Sequence, residues 1–283
     1  MMTATLTDKE FELFKHLIYQ QVGITLDFPK KTLLVSRLGK RLRDLHLPSY
    51  QAYYDCVSGK GGEEELMKLL DLVSTNKTDF FREPVHFEFL RDQVLPETQS
   101  AKTLRIWSSA SSSGEEPYSI AMSLSDAIAD INRWDIKILA SDISTRVLAK
   151  ASSGIYEEER VSQLPHDLVK RHFLRGKGPQ VGKLQVRPQV ARLVAFRRIN
   201  LMDPIFPIRS HLDVIFCRNV MIYFDRPTQA KLMEKFYRYL RPGGYLFIGH
   251  SESLQWIDHQ FTYLRPTIYQ KPVSVEKGGR VSG

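Results

Sequence analysis

Cysteine is scarce in this chain. Among 283 residues only Cys56 and Cys217 occur, far apart, which excludes a disulfide framework and predicts two reduced thiols in a cytoplasmic protein. No uncharged apolar run approaches the ~18 residues of a membrane-spanning helix, so no membrane insertion is expected. Residues 1–20 carry charges throughout and hold no apolar core of a secretory signal. The eight histidines show no H-E-x-x-H or similar spacing, so no metal is expected. There is no P-loop, and the one serine-rich turn lacks the G-x-S-x-G frame of a nucleophile elbow.

What remains is an ordinary globular composition, 42% hydrophobic and 25% charged, which excludes global disorder. The length suits one large domain and one small one. The net charge is +8, which points to an anionic partner. The clearest cationic stretch is KKTLLVSRLGKRLRDLHL, residues 30–47. Lys30, Lys31, Arg37, Lys40, Arg41 and Arg43 there face Asp44 alone. Leu34, Leu38, Leu42 and Leu45 recur at helical spacing, and Arg37, Lys40 and Arg43 fall off that apolar face. The plain alternative is a solvated helix face with no partner.

The pattern divides the chain. Residues 1–75 read as a small helical domain with no strand signal, and residues 76–101 as a linker beside a cleft. From residue 102 short apolar runs alternate with helical stretches. Strands are expected at 104–107, 136–140, 193–196, 212–217 and 245–248, with a closing hairpin over 261–271. Helices are expected at 117–131, 145–151 and 227–240. Such alternation predicts an open α/β sheet with ligands at the carboxyl ends of its strands. Gly176, Gly178, Pro179 and Gly182 break the alternation and predict a small β insertion near 172–198. The tail from residue 273 is expected to be disordered.

Three places carry chemistry. The first strand runs into SSASSSGEEP, residues 108–117, where small residues permit close approach to the backbone and a helix N-terminus follows. This is not G-x-G-x-x-G, and Glu115 and Glu116 in the first turn repel a pyrophosphate. They suit a ligand with a cationic or hydroxyl-rich end, although capping alone also explains them. The second strand ends in Asp142, where an acidic residue binds ribose hydroxyls or merely caps the next helix. The fourth strand runs into Arg218, Asn219 and Tyr223, at the place where such sheets hold the reacting substrate. Together these features indicate a nucleoside-bearing cofactor that needs no phosphate.

The strings TNKTDFFRE, SSASSSGEEPYSIAM, ASDIS, GIY, FRRINL and FCRNVMIYFD, in this order and spacing, resemble the chemotaxis receptor glutamate methyltransferases, the CheR family. The resemblance spans residues 11–271. It implies an S-adenosyl-L-methionine-dependent methyltransferase fold, a Rossmann-like α/β sheet with a helical N-terminal domain and a small inserted β subdomain. It implies methyl transfer from S-adenosyl-L-methionine to glutamates on the cytoplasmic domains of chemoreceptors, with S-adenosyl-L-homocysteine as product. Carried over by motif, Asn76, Thr78, Arg82, Glu116, Asp142, Asn200, Leu201, Arg218 and Asn219 become cofactor contacts. Arg218 and Tyr223 become the groups nearest the reacting methyl. Lys30, Arg37, Lys40 and Arg43 become receptor contacts, and the β insertion a site for a receptor C-terminal peptide.

A glutamate carboxylate is ionised near neutral pH, so this chemistry needs no general base. Two rivals stand beside it. A nucleic-acid methyltransferase suits the charge, but amino-methylating DNA enzymes carry Asp/Asn-Pro-Pro-aromatic where this chain reads Arg218-Asn219-Val220-Met221; no nucleic-acid partner is expected. A non-catalytic receptor-docking or cofactor-sensing module is the other, and Arg218, Tyr223 and Asp142 argue against it.

Overall fold

The computed structural model describes residues 5–74 and 76–273. The tail expected to be disordered lies, beyond residue 273, outside the described residues.

The first unit is helical. It comprises α1 (Asp8–Val22), α2 (Lys31–Asp44), α3 (Tyr50–Ser58) and α4 (Glu63–Val73). Thr7 and Glu10 form a reciprocal capping box at the start of α1, and Gly23 ends it in the left-handed region, so its boundaries follow from local chemistry. Phe11, Phe14, Ile18, Leu34, Leu38, Leu42, Tyr53 and Leu69 fill one core.

The second unit is a sheet. Its strands are β1 (Thr103–Ser108), β2 (Asp135–Asp142), β6 (Val194–Arg198), β7 (Leu212–Cys217), β8 (Leu240–Ile248), β9 (Thr262–Arg265) and β10 (Ile268–Gln270). Their spatial order is β6-β2-β1-β7-β8-β10-β9. β6, β2, β1, β7 and β8 are parallel, and β10 is antiparallel to both of its neighbours. β7 reads LDVIFC because helices cover both faces of the sheet. Val214 and Phe216 join the core on one face, Ile215 and Cys217 the core on the other. The order reverses between β1 and β7, and a crevice opens beyond their carboxyl ends.

Three expectations change. The β insertion is a separate antiparallel sheet of β3 (Ile155–Glu157), β4 (Phe173–Arg175) and β5 (Lys183–Val186), in the order β3-β5-β4. It therefore begins near residue 155, not 172, and the end of the expected range belongs to β6, which pairs in register with β2. Residues 85–97 are not linker. They form a helix, Val85–Phe89, continued through Leu90–Val94 and Leu95–Glu97, because Phe87, Leu90 and Val94 pack into the core of the sheet. The strand expected at 245–248 begins at Leu240, straight after the helix Arg226–Tyr239, so Pro242-Gly243-Gly244 lies inside β8, at a register irregularity against β7.

Candidate functional site

A cavity of about 140 Å³ lies over the carboxyl ends of β1, β2 and β7 and under the helical unit. Asn76, Thr78, Arg82, Glu116, Asp142, Asn200, Leu201, Arg218 and Asn219, the nine residues expected to hold a cofactor, all line it, together with Tyr223 and Lys30. Val22, Ile24, Leu26 and Leu33 of the helical unit complete its apolar wall.

The floor is built from β1 and the turn after it. Ser109, Ala110 and Ser112 line the cavity with small side chains. Gly114 starts the helix Glu115–Ala127 at φ 96, and a Cβ there would lie 2.9 Å from Ala151 Cβ and from Tyr156 Oη. Only glycine allows this turn. The two glutamates diverge. Glu115 accepts from Arg160 Nη2 and Ser113 Oγ, both at 2.7 Å, and does not line the cavity. Glu116 accepts from Ser108 Oγ at 2.7 Å and Arg218 Nη1 at 2.9 Å and does line it. Burial pushes the Glu116 carboxyl up, against the pull of Arg218 and Ser108.

Asp142 ends β2. Its Oδ2 accepts the Ser112 N–H at 2.9 Å and its Oδ1 the Ser144 N–H at 3.0 Å. Each oxygen keeps a further lone pair, so the buried carboxylate can still accept from hydroxyls. Burial raises its pKa, and backbone N–H groups of residues 144, 112 and 143 oppose the rise. A buried acceptor pair, small residues beside it and an apolar wall fit a nucleoside with a cationic tail.

Arg218 lines the cavity and is bonded from within. Its guanidinium donates to Glu116 and also to Glu83, with Nη2 3.1 Å from Glu83 Oε2, and to the Arg82 carbonyl. The side chain is 2% exposed. Its charge is already paired inside the protein. Glu83, absent from the expected site, also accepts the His250 N–H at 3.2 Å, and Arg218 and that N–H hold its pKa down against burial. Glu83, His86 and His250 bring ligand-type atoms within 4.8 Å of one another. Glu83 is paired with Arg218, and His86 Nε2 with Thr267 Oγ1 at 2.7 Å, while His86 Nδ1 is buried without a hydrogen-bond partner.

The helical unit is fastened to two loops of this site. Asn200 Nδ2 donates to Gln21 O at 2.6 Å, and Thr25 N–H donates to Tyr223 O at 2.8 Å. Tyr19 Oη donates to Asp225 Oδ2 at 2.9 Å. Lys30 Nζ donates to Thr25 O at 3.1 Å and lies 5.9 Å from the centre of the Tyr223 ring. Tyr223 is half-buried and lines the cavity, and its hydroxyl has no hydrogen-bond partner among the described residues.

The basic helix α2 is less open than its sequence reads. Arg41 grips Glu65 through Nε and Nη2 at 2.6 and 2.5 Å, and Lys31 pairs with Asp8 at 2.5 Å. Arg37, expected to be accessible, is half-buried and donates to Leu72 O at 2.6 Å and Ser74 O at 3.2 Å, at the end of α4. It caps carbonyls that a helix end leaves unpaired. Lys40 and Arg43 are exposed.

Comparison with known proteins places the chain among its relatives. Residues 76–270 match the family model described as CheR methyltransferase, SAM binding domain, and residues 9–74 match CheR methyltransferase, all-alpha domain. The chain is 44% identical over 263 residues to chemotaxis protein methyltransferase 2 of Pseudomonas aeruginosa, covering 93% of each. It is 40% identical over 265 residues to the chemotaxis protein methyltransferase of Escherichia coli, covering 93% of this chain and 91% of that one. With the chemotaxis protein methyltransferase of Borreliella burgdorferi it shares 39% identity over 278 residues, 95% of this chain and 96% of the other.

Proposed function

The chain belongs to the CheR methyltransferase family and is an S-adenosyl-L-methionine-dependent methyltransferase of chemotaxis, and from that premise we propose its substrate and its site. The substrate is the glutamate side chains on cytoplasmic domains of methyl-accepting chemoreceptors, converted to glutamyl methyl esters. The reaction takes place in the cytoplasm; among the described residues no helix is long and apolar enough to cross a membrane. The observation that carries this reading is the convergence of the nine expected cofactor residues and Tyr223 on one cavity.

Asp142 accepts from the ribose hydroxyls, and Glu116 faces the cationic amino-acid end of the cofactor. Asn76, Thr78, Arg82, Asn200, Leu201 and Asn219 close around it. When bound, S-adenosyl-L-methionine supplies an electrophilic methyl group on a sulfonium. The glutamate arrives ionised, so no residue has to remove a proton. Catalysis is then positioning, worth ~7–11 kcal/mol when reactants are held in line. Tyr223 orients the carboxylate through its hydroxyl. Arg218 acts one step back, by holding Glu116.

Docking of the receptor falls to Lys30 at the cavity wall and to Lys40 and Arg43 on the exposed side of α2. The β insertion takes a receptor C-terminal peptide. The charge of its second half supports an anionic segment there: residues 168–186 contain Lys170, Arg171, Arg175, Lys177 and Lys183 and no Asp or Glu. The test is incubation with radiolabelled S-adenosyl-L-methionine and receptor-bearing membranes. Base-labile label in receptor is expected. Label in nucleic acid, or none in receptor, overturns the reading.

A further inference from the structure

We propose that Glu252 is a positioning residue for methyl transfer: its carboxylate holds the backbone of residues 219–221 in the conformation that turns Asn219 and Tyr223 to the cavity. The inference rests on the reading that those two residues face cofactor and substrate.

β7 ends at Cys217, and the chain must leave the sheet and reverse within a few residues. It does so with Asn219 at φ 58, in the left-handed region, and Val220 at φ −122. Three consecutive N–H groups then point the same way. Those of Asn219, Val220 and Met221 donate to Glu252 at 3.0, 2.9 and 2.8 Å. Successive N–H groups around a left-handed residue make an anion-binding concavity, and here the chain's own carboxylate fills it. The Gly249 N–H adds a fourth bond at 2.6 Å, which ties the end of β8 to the end of β7. Tyr223 stands two residues beyond the last clamped N–H, in the turn Met221–Tyr223.

A second contact holds the same turn. A Cβ on Gly249 would lie 2.4 Å from Asn219 Nδ2 and 2.9 Å from Asn219 N. Residue 249 therefore has to be glycine for Asn219 to keep its place. Glu252 lies 33 residues from Asn219 and does not line the cavity, so it acts through the loop and does not touch the reacting groups.

The test compares wild type with Glu252→Gln, which keeps the side-chain shape but sets an amide N–H₂ against backbone N–H groups. Affinity for S-adenosyl-L-homocysteine by calorimetry, melting temperature, and kcat and KM on receptor membranes are measured together. Losing bonds to a charged acceptor is expected to lower kcat about tenfold or more per cofactor-binding molecule. Receptor KM should move by less than about twofold, because the docking surface is untouched. Gly249→Ala, whose Cβ would press on Asn219, should give the same kcat-dominated loss. A purely structural role predicts a lower melting temperature with unchanged kcat per cofactor-binding molecule, and that result overturns the proposal. If Glu252→Gln does not fold, Gly249→Ala decides: wild-type kcat in it sinks the idea. Receptor left unlabelled by the wild type refutes the proposed function and this inference with it, whereas a labelling wild type beside an equally active Glu252→Gln refutes this inference alone.

Discussion

Arg218 and Glu116 form a buried ion pair, Nη1 to Oε2 at 2.9 Å, with side chains 2% and 10% exposed. The same guanidinium lies 3.1 Å from Glu83 Oε2, so one cation serves a carboxylate from the helix 115–127 and another from the segment before the sheet. Removing it leaves Glu116 buried without a counter-charge and Glu83 with only Arg82 Nε at 3.9 Å, and an uncompensated buried charge typically costs ~3–5 kcal/mol. Arg218→Ala is therefore expected to lose thermal stability and cofactor affinity together. Thermal unfolding and calorimetry on one preparation check this; a melting temperature equal to wild type would show that the pair is not structural.

Tyr223 should behave in the opposite way. Tyr223 lines the cavity and its hydroxyl is bonded to no described residue, so the fold does not depend on that hydroxyl. A hydrogen bond to a charged group is worth ~1.5–3 kcal/mol, about 10- to 100-fold in rate. Tyr223→Phe should lower kcat within that range and leave melting temperature and S-adenosyl-L-homocysteine affinity near wild type. Undiminished turnover would assign the tyrosine to packing alone.

His86 sets an acid limit on stability. It is fully buried, stacks on Phe247 at 5.3 Å and meets Thr267 Oγ1. Burial and the nearby Arg218 push its pKa from the ordinary 6.5 down to about 3. The unfolded chain thus binds a proton between about 6.5 and about 3 that the folded chain refuses. Stability from this residue is present above about 6.5 and is lost as pH falls toward about 3. His86→Gln should flatten the fall in unfolding free energy across that window, measured by urea titration at several pH values. An unchanged slope would mean that His86 titrates normally.

Asp142→Ala tests the cofactor site. Without the carboxylate the ribose hydroxyls have no acceptor there, at a cost of ~1–3 kcal/mol, so binding of S-adenosyl-L-methionine should weaken about tenfold or more. Unchanged calorimetric affinity would remove Asp142 from the site.

Much of this was legible in the sequence, for reasons that are local. Buried strands such as β7 show as apolar runs, and Asp142 and Arg218 stand where those runs stop. The short strand Ile155–Glu157 carries too few residues to show a period. Glu83 and Glu252 were not legible because their partners are distant or are backbone. Glu83 meets Arg218 across 135 residues, and Glu252 serves N–H groups that every residue type carries. Arg37 misled because helical spacing places it off the leucine face, whereas the end of α4 comes close enough to accept its guanidinium.

That displacement of Arg37 changes how receptor docking has to be tested. Arg37 holds the carbonyls of Leu72 and Ser74, and Ser74 lines the cavity just before the chain reaches Asn76. Arg37→Glu would set a carboxylate against those carbonyls and disturb the fold and the cofactor site as well as any docking surface. Lys40→Glu with Arg43→Glu is the cleaner variant, because both side chains are exposed and exposed charges contribute little to stability. Charge complementarity mainly raises association rate and is screened by salt. Lys40→Glu/Arg43→Glu is therefore expected to cut receptor methylation several-fold at low salt and less at high salt, with melting temperature and S-adenosyl-L-homocysteine affinity unchanged. Arg37→Glu should lower all three at any salt. Receptor methylation at the wild-type rate in Lys40→Glu/Arg43→Glu would leave α2 a solvated face with no partner.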